Sequence, residues 1–379
     1  MKKIVIAADS FKGSISSQCF ADVCETAVAA IFPDCEVVKI PLGDGGEGTV
    51  DALIAAWGGK SVDVTVTDPL LRPVVARYGV SADGMTAIME MAQASGLPLL
   101  ERDERNPLLT STYGTGQMIA DALARGCHNI LIGIGGSATN DGGLGMLSAL
   151  GARFYDADGR RVADKGCGAD LELIAAIDLS HLNPLLKDAK IIVACDVDNP
   201  LCGQRGATRV FSQQKGADQP MADRLEKGMV NYAAVVENYT GINVAALPGA
   251  GAAGGLGAAF AALLGARLMP GIDMVLDAVD FDSQIRGADL IITGEGRIDS
   301  QTVMGKTPFG VLTAAKRHAI PVVALGGSVD YSPVLNEAGF VAIFSIQPGP
   351  VTLSEALDPD TAAKNLYNTV VQVLRLLQH

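Results

Sequence analysis

The sequence predicts an α/β protein in which a Rossmann-like parallel-sheet domain is built from both ends of the chain, with a second α/β domain inserted between them. Two observations support this prediction. Strand–loop–helix units occur near both termini, and the segment between them begins with alternating apolar and polar residues, as antiparallel strands do. The length of 379 residues is comfortable for two domains.

The N-terminal elements follow the order strand, loop, helix, strand, loop, helix. A β-branched run at 3–8 predicts the first strand, and a Ser/Gly-rich loop leads to a helical pattern over 17–31. A second strand is predicted at 36–40, followed by the loop GDGGEGT at 43–49 and an apolar-periodic segment through Trp57. This order is typical of a doubly wound parallel sheet.

The same order returns near the C-terminus, with a strand at 289–293, a GEGRID loop, a helix at 308–318 and a strand at 322–325. In between, 62–90 predicts antiparallel strands, and strands at 129–134 and 191–194 each open into a loop. We therefore predict the Rossmann-like domain at 1–62 and 286–379 and the inserted domain at 63–285. We expect the active site in the cleft between them.

The charge balance argues against a nucleic-acid-binding protein. The formal net charge is −13, and binding to a phosphate backbone needs a basic stripe that the sequence lacks. An acidic protein that handles an anionic substrate must concentrate its few cations locally, so a Lys or Arg within a glycine-rich loop is informative. We expect small-molecule partners and leave a homodimer open.

The cysteines and the N-terminus predict a cytoplasmic protein. Seven cysteines without a CxxC pair favour reduced thiols. The apolar run before Asp9 is five residues long, shorter than that of a signal peptide. The long uncharged stretch at 249–266 is rich in Gly and Ala, which favours a packed loop and helix over a membrane span.

Six segments share one design, in which a strand is followed by small residues and then by acids or a cation. They are ADSFKG (8–13), GDGGEGT (43–49), GIGGSATNDGG (133–143), DVDNPL (196–201), GAGAAGG (249–255) and TGEGRIDSQTVMGKT (293–307). One such loop has little significance. Six in one chain indicate a site at the carboxyl ends of strands, where α/β sheets bind ligands.

These loops offer the groups that phosphoryl transfer needs. Backbone N–H groups cradle phosphate, Lys or Arg neutralises its charge, carboxylates hold magnesium, and an Asp accepts the proton of the alcohol. The predicted catalytic residues are Asp196, Asp198, Lys12 and Arg297. The predicted substrate- or phosphate-binding residues are Asp9, Ser10, Gly45, Gly46, Ser137, Asn140, Asp141, Gly251, Gly254 and Gly294. The predicted magnesium ligands are Asp44, Glu47 and Glu295.

Several of these side chains also have a structural interpretation. Three acids could cap the helices that follow their loops, namely Asp9, Asp44 and Glu47. Two residues could serve only as turn residues, namely Asn140 and Asp141. Lys12 could be a solvated cation, and Glu295 could form a structural ion pair with Arg297.

Two familiar nucleotide motifs fit incompletely. SQTVMGKT at 300–307 would be a P-loop if Ser300 were Gly, and it leads into Pro308 instead of emerging from a strand. The glycines at 249, 251 and 254 match G-x-G-x-x-G after the strand-like INVAAL, but Asp273 does not follow a clean second strand. An NAD-dependent hydroxy-acid dehydrogenase stays open as an alternative, as does a non-catalytic sugar-acid binding protein.

Taken in order, ADSFKGS, PLGDGGEGT, GIGGSATNDGG, ACDVDNPL, GAGAAGGLG and TGEGRIDSQT resemble the bacterial glycerate kinase family along essentially the whole chain. The resemblance implies a Rossmann- or flavodoxin-like domain with an inserted second domain. It also implies a reaction of ATP with D-glycerate, with magnesium, in glucarate, galactarate or glyoxylate utilisation. The 2-phosphate is the expected product, and the residues do not separate it from the 3-phosphate.

The resemblance assigns no catalytic roles, so these rest on chemistry. We expect a cation, Lys12 or Arg297, to meet the carboxylate of glycerate. Asp196 or Asp198 is the expected base for the attacking hydroxyl, and positioning is expected to supply most of the acceleration.

Overall fold

The computed structural model describes residues 1–43, 45–46, 48–162 and 164–378, and the chain divides into two compact units. The first comprises 1–57 with 272–379, and the second comprises 58–271. The predicted boundaries at 62 and 286 are therefore displaced. Lys60–Thr67 is a strand of the second unit's sheet, and Ile272 packs against Gly310 of the first unit.

The strands, in chain order, are β1 (Lys3–Ile6), β2 (Glu36–Lys39), β3 (Lys60–Thr67), β4 (Pro73–Val80), β5 (Thr86–Glu90), β6 (Asn129–Gly133), β7 (Arg153–Tyr155), β8 (Ala176–Asp178), β9 (Lys190–Ala194), β10 (Arg267–Met269), β11 (Leu290–Ile298), β12 (Val322–Val329) and β13 (Ala342–Ser345). The helices are α1 (Ser17–Ile31), α2 (Thr49–Trp57), α3 (Ala92–Ser95), α4 (Tyr113–Ala124), α5 (Leu144–Ala149), α6 (Ala207–Phe211), α7 (Gln219–Thr240), α8 (Ala252–Ala258), α9 (Gly271–Ala278), α10 (Phe281–Gln284), α11 (Thr307–Arg317), α12 (Pro333–Glu337), α13 (Leu353–Leu357) and α14 (Pro359–Leu376).

The first unit contains a five-stranded parallel sheet in the order β13-β12-β11-β1-β2. Counted within this unit, the order is 2-1-3-4-5, the flavodoxin-like arrangement. The strand order reverses between β1 and β11, and α/β proteins of this type bind ligands outside the carboxyl ends of the strands at that point. The predicted α/β class is confirmed.

Helix α1 shows how local sequence positions these strands. The Ser16 hydroxyl accepts a hydrogen bond from the Cys19 amide at 3.1 Å and so caps the helix start. Phe20, Cys24 and Val28 follow at helical spacing and are buried in the core of this unit. The helix spans the residues that the sequence predicted.

The second unit contains a six-stranded sheet in the order β10-β9-β6-β5-β4-β3. β3, β4 and β5 pair antiparallel, as predicted for 62–90, and β5, β6, β9 and β10 pair parallel. The near-continuous apolar strands β6 and β9 lie inside this parallel part, and the loops that follow them carry several predicted site residues.

Two local predictions were wrong. GEGRI was expected to be a loop, but it continues β11 through Ile298, because the backbone keeps pairing with β12 up to Val329. INVAAL at 242–247 was strand-like in sequence, but it forms turns.

Each of the seven cysteines is a free thiol. Within the described part of the chain, no helix combines the length and apolar character needed to cross a bilayer.

Candidate active site

The first unit carries a cavity of about 520 Å³ where β1 and β11 end. Three cations, Lys12, Arg297 and Lys306, line it together with two acids, Asp9 and Glu295. Apolar side chains of α13 form another part of the wall. A cluster of cations in a protein of net charge −13 indicates a site for an anion.

Asp9 lies just beyond β1 and is buried. Its amide donates to the Gly294 carbonyl at 3.0 Å, which continues the pairing of β1 with β11. The Asp9 carboxylate accepts the Ser10 amide at 2.7 Å and the Thr307 hydroxyl at 3.2 Å. Ser16, and not Asp9, therefore caps α1. Asp9 instead links the end of β1 to the start of α11.

Glu295 is a buried acid on β11 in the same cavity. Its carboxylate accepts the Thr302 hydroxyl at 2.6 Å, and its second oxygen lies 3.5 Å from the Lys306 amine. Burial raises the pKa of Glu295, the Thr302 and Lys306 contacts lower it, and the charge of Asp9 raises it again. The two acids therefore influence each other electrostatically.

Lys306 is a site residue that the sequence reasoning missed. It precedes α11 in the segment SQTVMGKT, which was set aside because it departs from the P-loop pattern. The segment forms a short 3₁₀ turn at Thr302–Met304, yet it brings Thr302, Lys306 and Thr307 onto the two buried acids. The GKT triplet was the available signal.

Arg297 does not pair with Glu295, so that structural interpretation was wrong. Its Nε lies 3.2 Å from Asp299, and its side chain is 68% exposed. The Asp299 side chain is only 14% exposed, but the guanidinium of Arg297 is open to the cavity, so a ligand anion can reach it. Ser10 and the exposed Lys12 also line the cavity, on the loop between β1 and α1.

The other residues predicted in this unit have local structural roles. The Gly45 amide donates to the Thr49 hydroxyl, and the Thr49 amide donates to the Gly46 carbonyl, so both glycines form the turn that starts α2. At Gly294 a Cβ would lie 2.5 Å from the Leu325 carbonyl oxygen, which explains the glycine by close strand packing. Asp44 and Glu47 lie outside the described residues.

In the second unit, Asp141 braces the loop after β6. Its fully buried carboxylate accepts hydrogen bonds from the Thr112 amide and hydroxyl and from the amides of Gly143 and Gly145, at 2.7–3.2 Å. Burial raises the pKa of Asp141, and these donors lower it. Asn140 is also buried and donates to Thr208 at 3.1 Å. This geometry favours bracing over direct substrate contact.

Ser137 meets a second lysine that the sequence reasoning missed. The Lys215 amine donates to the Ser137 hydroxyl at 2.7 Å and to the Thr139 carbonyl at 2.6 Å. No motif includes Lys215, which ends a 3₁₀ turn at Gln213–Lys215, so only the tertiary structure identifies it.

Asp196 and Asp198 follow β9 but differ in environment. The Asp196 carboxylate accepts the Gly271 amide at 2.8 Å, which orients it at the start of α9. Asp198 pairs with Arg205 at 2.9 Å, and its side chain is 76% exposed. A carboxylate held by a backbone amide is better oriented than one in an exposed ion pair, so the two residues are not equivalent.

Gly251 and Gly254 are explained by close backbone packing. A Cβ at Gly251 would lie 2.2 Å from the Pro200 carbonyl oxygen, and one at Gly254 would lie 2.1 Å from the Thr139 carbonyl oxygen. The dinucleotide-binding motif requires a strand before its glycines, but turns precede these glycines. The match to G-x-G-x-x-G therefore does not support a dehydrogenase.

Among the described residues, no group of three or more His, Cys, Asp or Glu side chains is placed to hold a metal ion. A magnesium ion that binds together with phosphate commonly takes one or two carboxylates, with the remaining ligands from phosphate and water. Two buried acids whose charges interact, Asp9 and Glu295, fit that smaller donor set.

The fold and the site define an α/β enzyme with a flavodoxin-like sheet and a cavity lined by cations at its switch point. A profile described as the glycerate kinase family matches residues 4–378. The chain is 52% identical to the glycerate kinase of Bacillus cereus over 356 residues, 93% of each chain. It is 48% identical to the glycerate 2-kinase of Escherichia coli over 355 residues, also 93% of each chain.

A crystal structure of a candidate glycerate kinase 2 from Salmonella typhimurium superposes with a TM-score of 0.91 at 46% identity, covering 100% of this chain and 98% of that one. The chain therefore belongs to the glycerate kinase family. It is a kinase that transfers phosphate to an alcohol group, which confirms the enzyme class that the sequence predicted.

Proposed function

We propose that this protein phosphorylates D-glycerate with ATP and Mg²⁺ at the 2-hydroxyl, forming 2-phosphoglycerate and ADP. The name of the Escherichia coli relative, glycerate 2-kinase, supports this position on the substrate. We place the reaction in the utilisation of sugar acids, such as glucarate and galactarate, or of glyoxylate.

The observation that carries the proposal is the set of cations in the cavity of the first unit. Both substrates are anions, and Lys12, Arg297 and Lys306 line one cavity. Arg297 offers a planar fork that matches a carboxylate or a phosphate, and its only described ion pair is the one with Asp299. We assign Arg297 or Lys12 to the carboxylate of glycerate.

The magnesium ligands in this proposal are Asp9 and Glu295. When bound, the ion would neutralise the negative charge that develops on the transferring phosphate. Lys306 lies 3.5 Å from Glu295 and holds that carboxylate while its own charge faces the cavity. Thr302 and Thr307 fix the two acids through their hydroxyls.

Asp196 is the proposed base for the attacking hydroxyl. An alcohol is a weak acid, so the proton leaves late in the reaction, and the base needs correct orientation more than a shifted pKa. The Gly271 amide supplies that orientation by donating to Asp196. Asp198, engaged with Arg205 in an exposed ion pair, is the weaker candidate.

A coupled assay tests the function. ADP release is measured with D-glycerate, L-glycerate and glucarate, and the product is examined by proton-coupled phosphorus NMR. We expect turnover with D-glycerate and a doublet, because the 2-phosphate is attached to a carbon that bears one hydrogen. A triplet would assign the 3-phosphate.

The same preparation tests the alternatives. A nicotinamide absorbance change with glycerate and no ATP would establish the dehydrogenase. Retention of glycerate without ATP turnover would establish a binding protein. Either result would refute the proposed kinase reaction.

A further inference from the structure

Lys215 is a buried lysine that the proposed reaction does not use. Its side chain lies in the second unit and is 2% exposed. The amine donates to the Ser137 hydroxyl and to the Thr139 carbonyl, at 2.7 and 2.6 Å. Both partners are neutral, and no salt bridge among the described residues includes Lys215.

The two partners belong to the glycine-rich loop between β6 and α5. Two further hydrogen bonds fix the middle of this loop. The Ala138 amide donates to the Ser95 carbonyl, and the Thr110 hydroxyl donates to the Ala138 carbonyl. The tip of the loop, Gly135 and Gly136, is exposed. Neither tip amide donates a hydrogen bond to another described residue.

The loop also contains two buried polar atoms that lack a hydrogen-bond partner among the described residues. They are Oγ1 of Thr139 and Oδ1 of Asn140, and both side chains are fully buried. Buried polar groups normally form hydrogen bonds. Two buried oxygens without a partner therefore indicate that the hydrogen bonding of this loop is incomplete.

A buried ammonium group without a carboxylate in contact is unfavourable unless another negative charge compensates it. An anion at the exposed tip would supply that charge. It would also accept hydrogen bonds from the glycine amides, as phosphate does in other glycine-rich loops. The loop follows β6, at the edge of the sheet where α/β proteins bind ligands.

We propose that Lys215 is a positioning residue that holds the 135–139 loop against an anionic oxygen of a substrate, whose negative charge in turn stabilises the buried ammonium group. The proposal rests on the kinase function proposed above. The anion is a phosphate of ATP or the carboxylate of glycerate, and the experiment separates the two.

The proposal has a pH consequence. Burial lowers the pKa of Lys215 to about 7, and the charge of Asp141 raises it. Among the described residues, Tyr232, whose pKa burial raises so that it stays neutral, lies near Asp141, and the backbone of Arg105 packs against Gly216, the residue after Lys215. A bound anion favours the protonated amine, so binding takes up a proton above pH 7 and weakens as the pH rises.

The first test compares the Lys215→Met variant with the parent. Methionine keeps much of the length and removes the charge, and Lys227→Met on the exposed face of α7 is the matched control. At pH 6.5 we expect KM for either ATP or D-glycerate to rise about tenfold or more, with kcat changed less than threefold. The substrate whose KM rises identifies the anion.

The pH profile of this KM supplies the second readout. In the parent it should rise above pH 7, whereas in Lys215→Met it should be high and flat. Parental KM values for both substrates in a folded Lys215→Met protein would overturn the proposal. Absence of glycerate phosphorylation by the parent would instead refute the proposed function.

A measurement on the parent protein covers the case in which the variant does not fold. Titration calorimetry at pH 8, with a non-hydrolysable ATP analogue and with D-glycerate, is repeated in two buffers of different ionisation enthalpy. We expect about half a proton or more to be taken up with one of the two ligands. Binding of both ligands without proton uptake would overturn the proposal.

Discussion

Replacing Asp141 by Asn decides whether this acid braces its loop or contacts the substrate. The carboxylate is fully buried and accepts four hydrogen bonds. Three of them reach one oxygen, from the Thr112 amide, the Thr112 hydroxyl and the Gly145 amide, and the fourth joins the other oxygen to the Gly143 amide. Asparagine keeps the shape but offers only one acceptor oxygen.

The magnitude follows from these contacts. With its oxygen toward Thr112, asparagine leaves the Gly143 amide facing an NH₂ group, a loss of about 1–3 kcal/mol. The three remaining bonds lose their charge assistance, which costs about 1–2 kcal/mol in sum. Removal of a buried charge offsets part of this loss, because burial raises the pKa of Asp141. We expect a net destabilisation of about 2 kcal/mol.

Urea unfolding followed by far-ultraviolet circular dichroism measures this change, with Asp158→Asn as the control. Asp158 is 67% exposed and pairs with Arg160 on the surface, so its replacement should change the unfolding free energy by less than about 0.5 kcal/mol. An Asp141→Asn protein of parental stability whose KM is raised tenfold would refute the bracing role and establish substrate contact.

Three further predictions concern the proposed reaction. Arg297→Ala should lower kcat/KM about 10²-fold, roughly 3 kcal/mol, because a charge contact to a reacting anion is lost. Activity within threefold of the parent would show that Arg297 serves only in its ion pair with Asp299. Asp196→Asn should lower kcat by about 10²- to 10⁴-fold at saturating magnesium, and Asp198→Asn should change it little; near-parental rates in both variants would place the base elsewhere. Burial raises the pKa of Glu295, so kcat/KM should fall as the pH drops through that pKa and the carboxylate becomes neutral. If a Glu295→Gln variant shows the same fall in kcat/KM at low pH, the fall belongs to another group.

The sequence by itself determined the features that depend on local signals. The bounds of α1 were predictable because a capping Ser16 and apolar residues at helical spacing act within one turn of each other. The α/β class and the clustering of loops at strand ends followed from the alternation of strands and helices. Asp9, Lys12, Glu295 and Arg297 were predicted as candidates because each lies in a segment of small residues that follows an apolar strand run, and all four line one cavity.

Only the tertiary structure decided which partner each of these groups meets. Glu295 pairs with Lys306. Lys215 contacts Ser137, which lies 78 positions away in the sequence. The strand at 294–298 forms because β12 continues to pair beside it, although its glycines alone predict a loop. Gly254 is needed because the Thr139 carbonyl lies where a Cβ would stand. Such contacts join segments that are distant in the chain, and local propensity carries no information about them, because burial and pairing energies are fixed only when the segments pack.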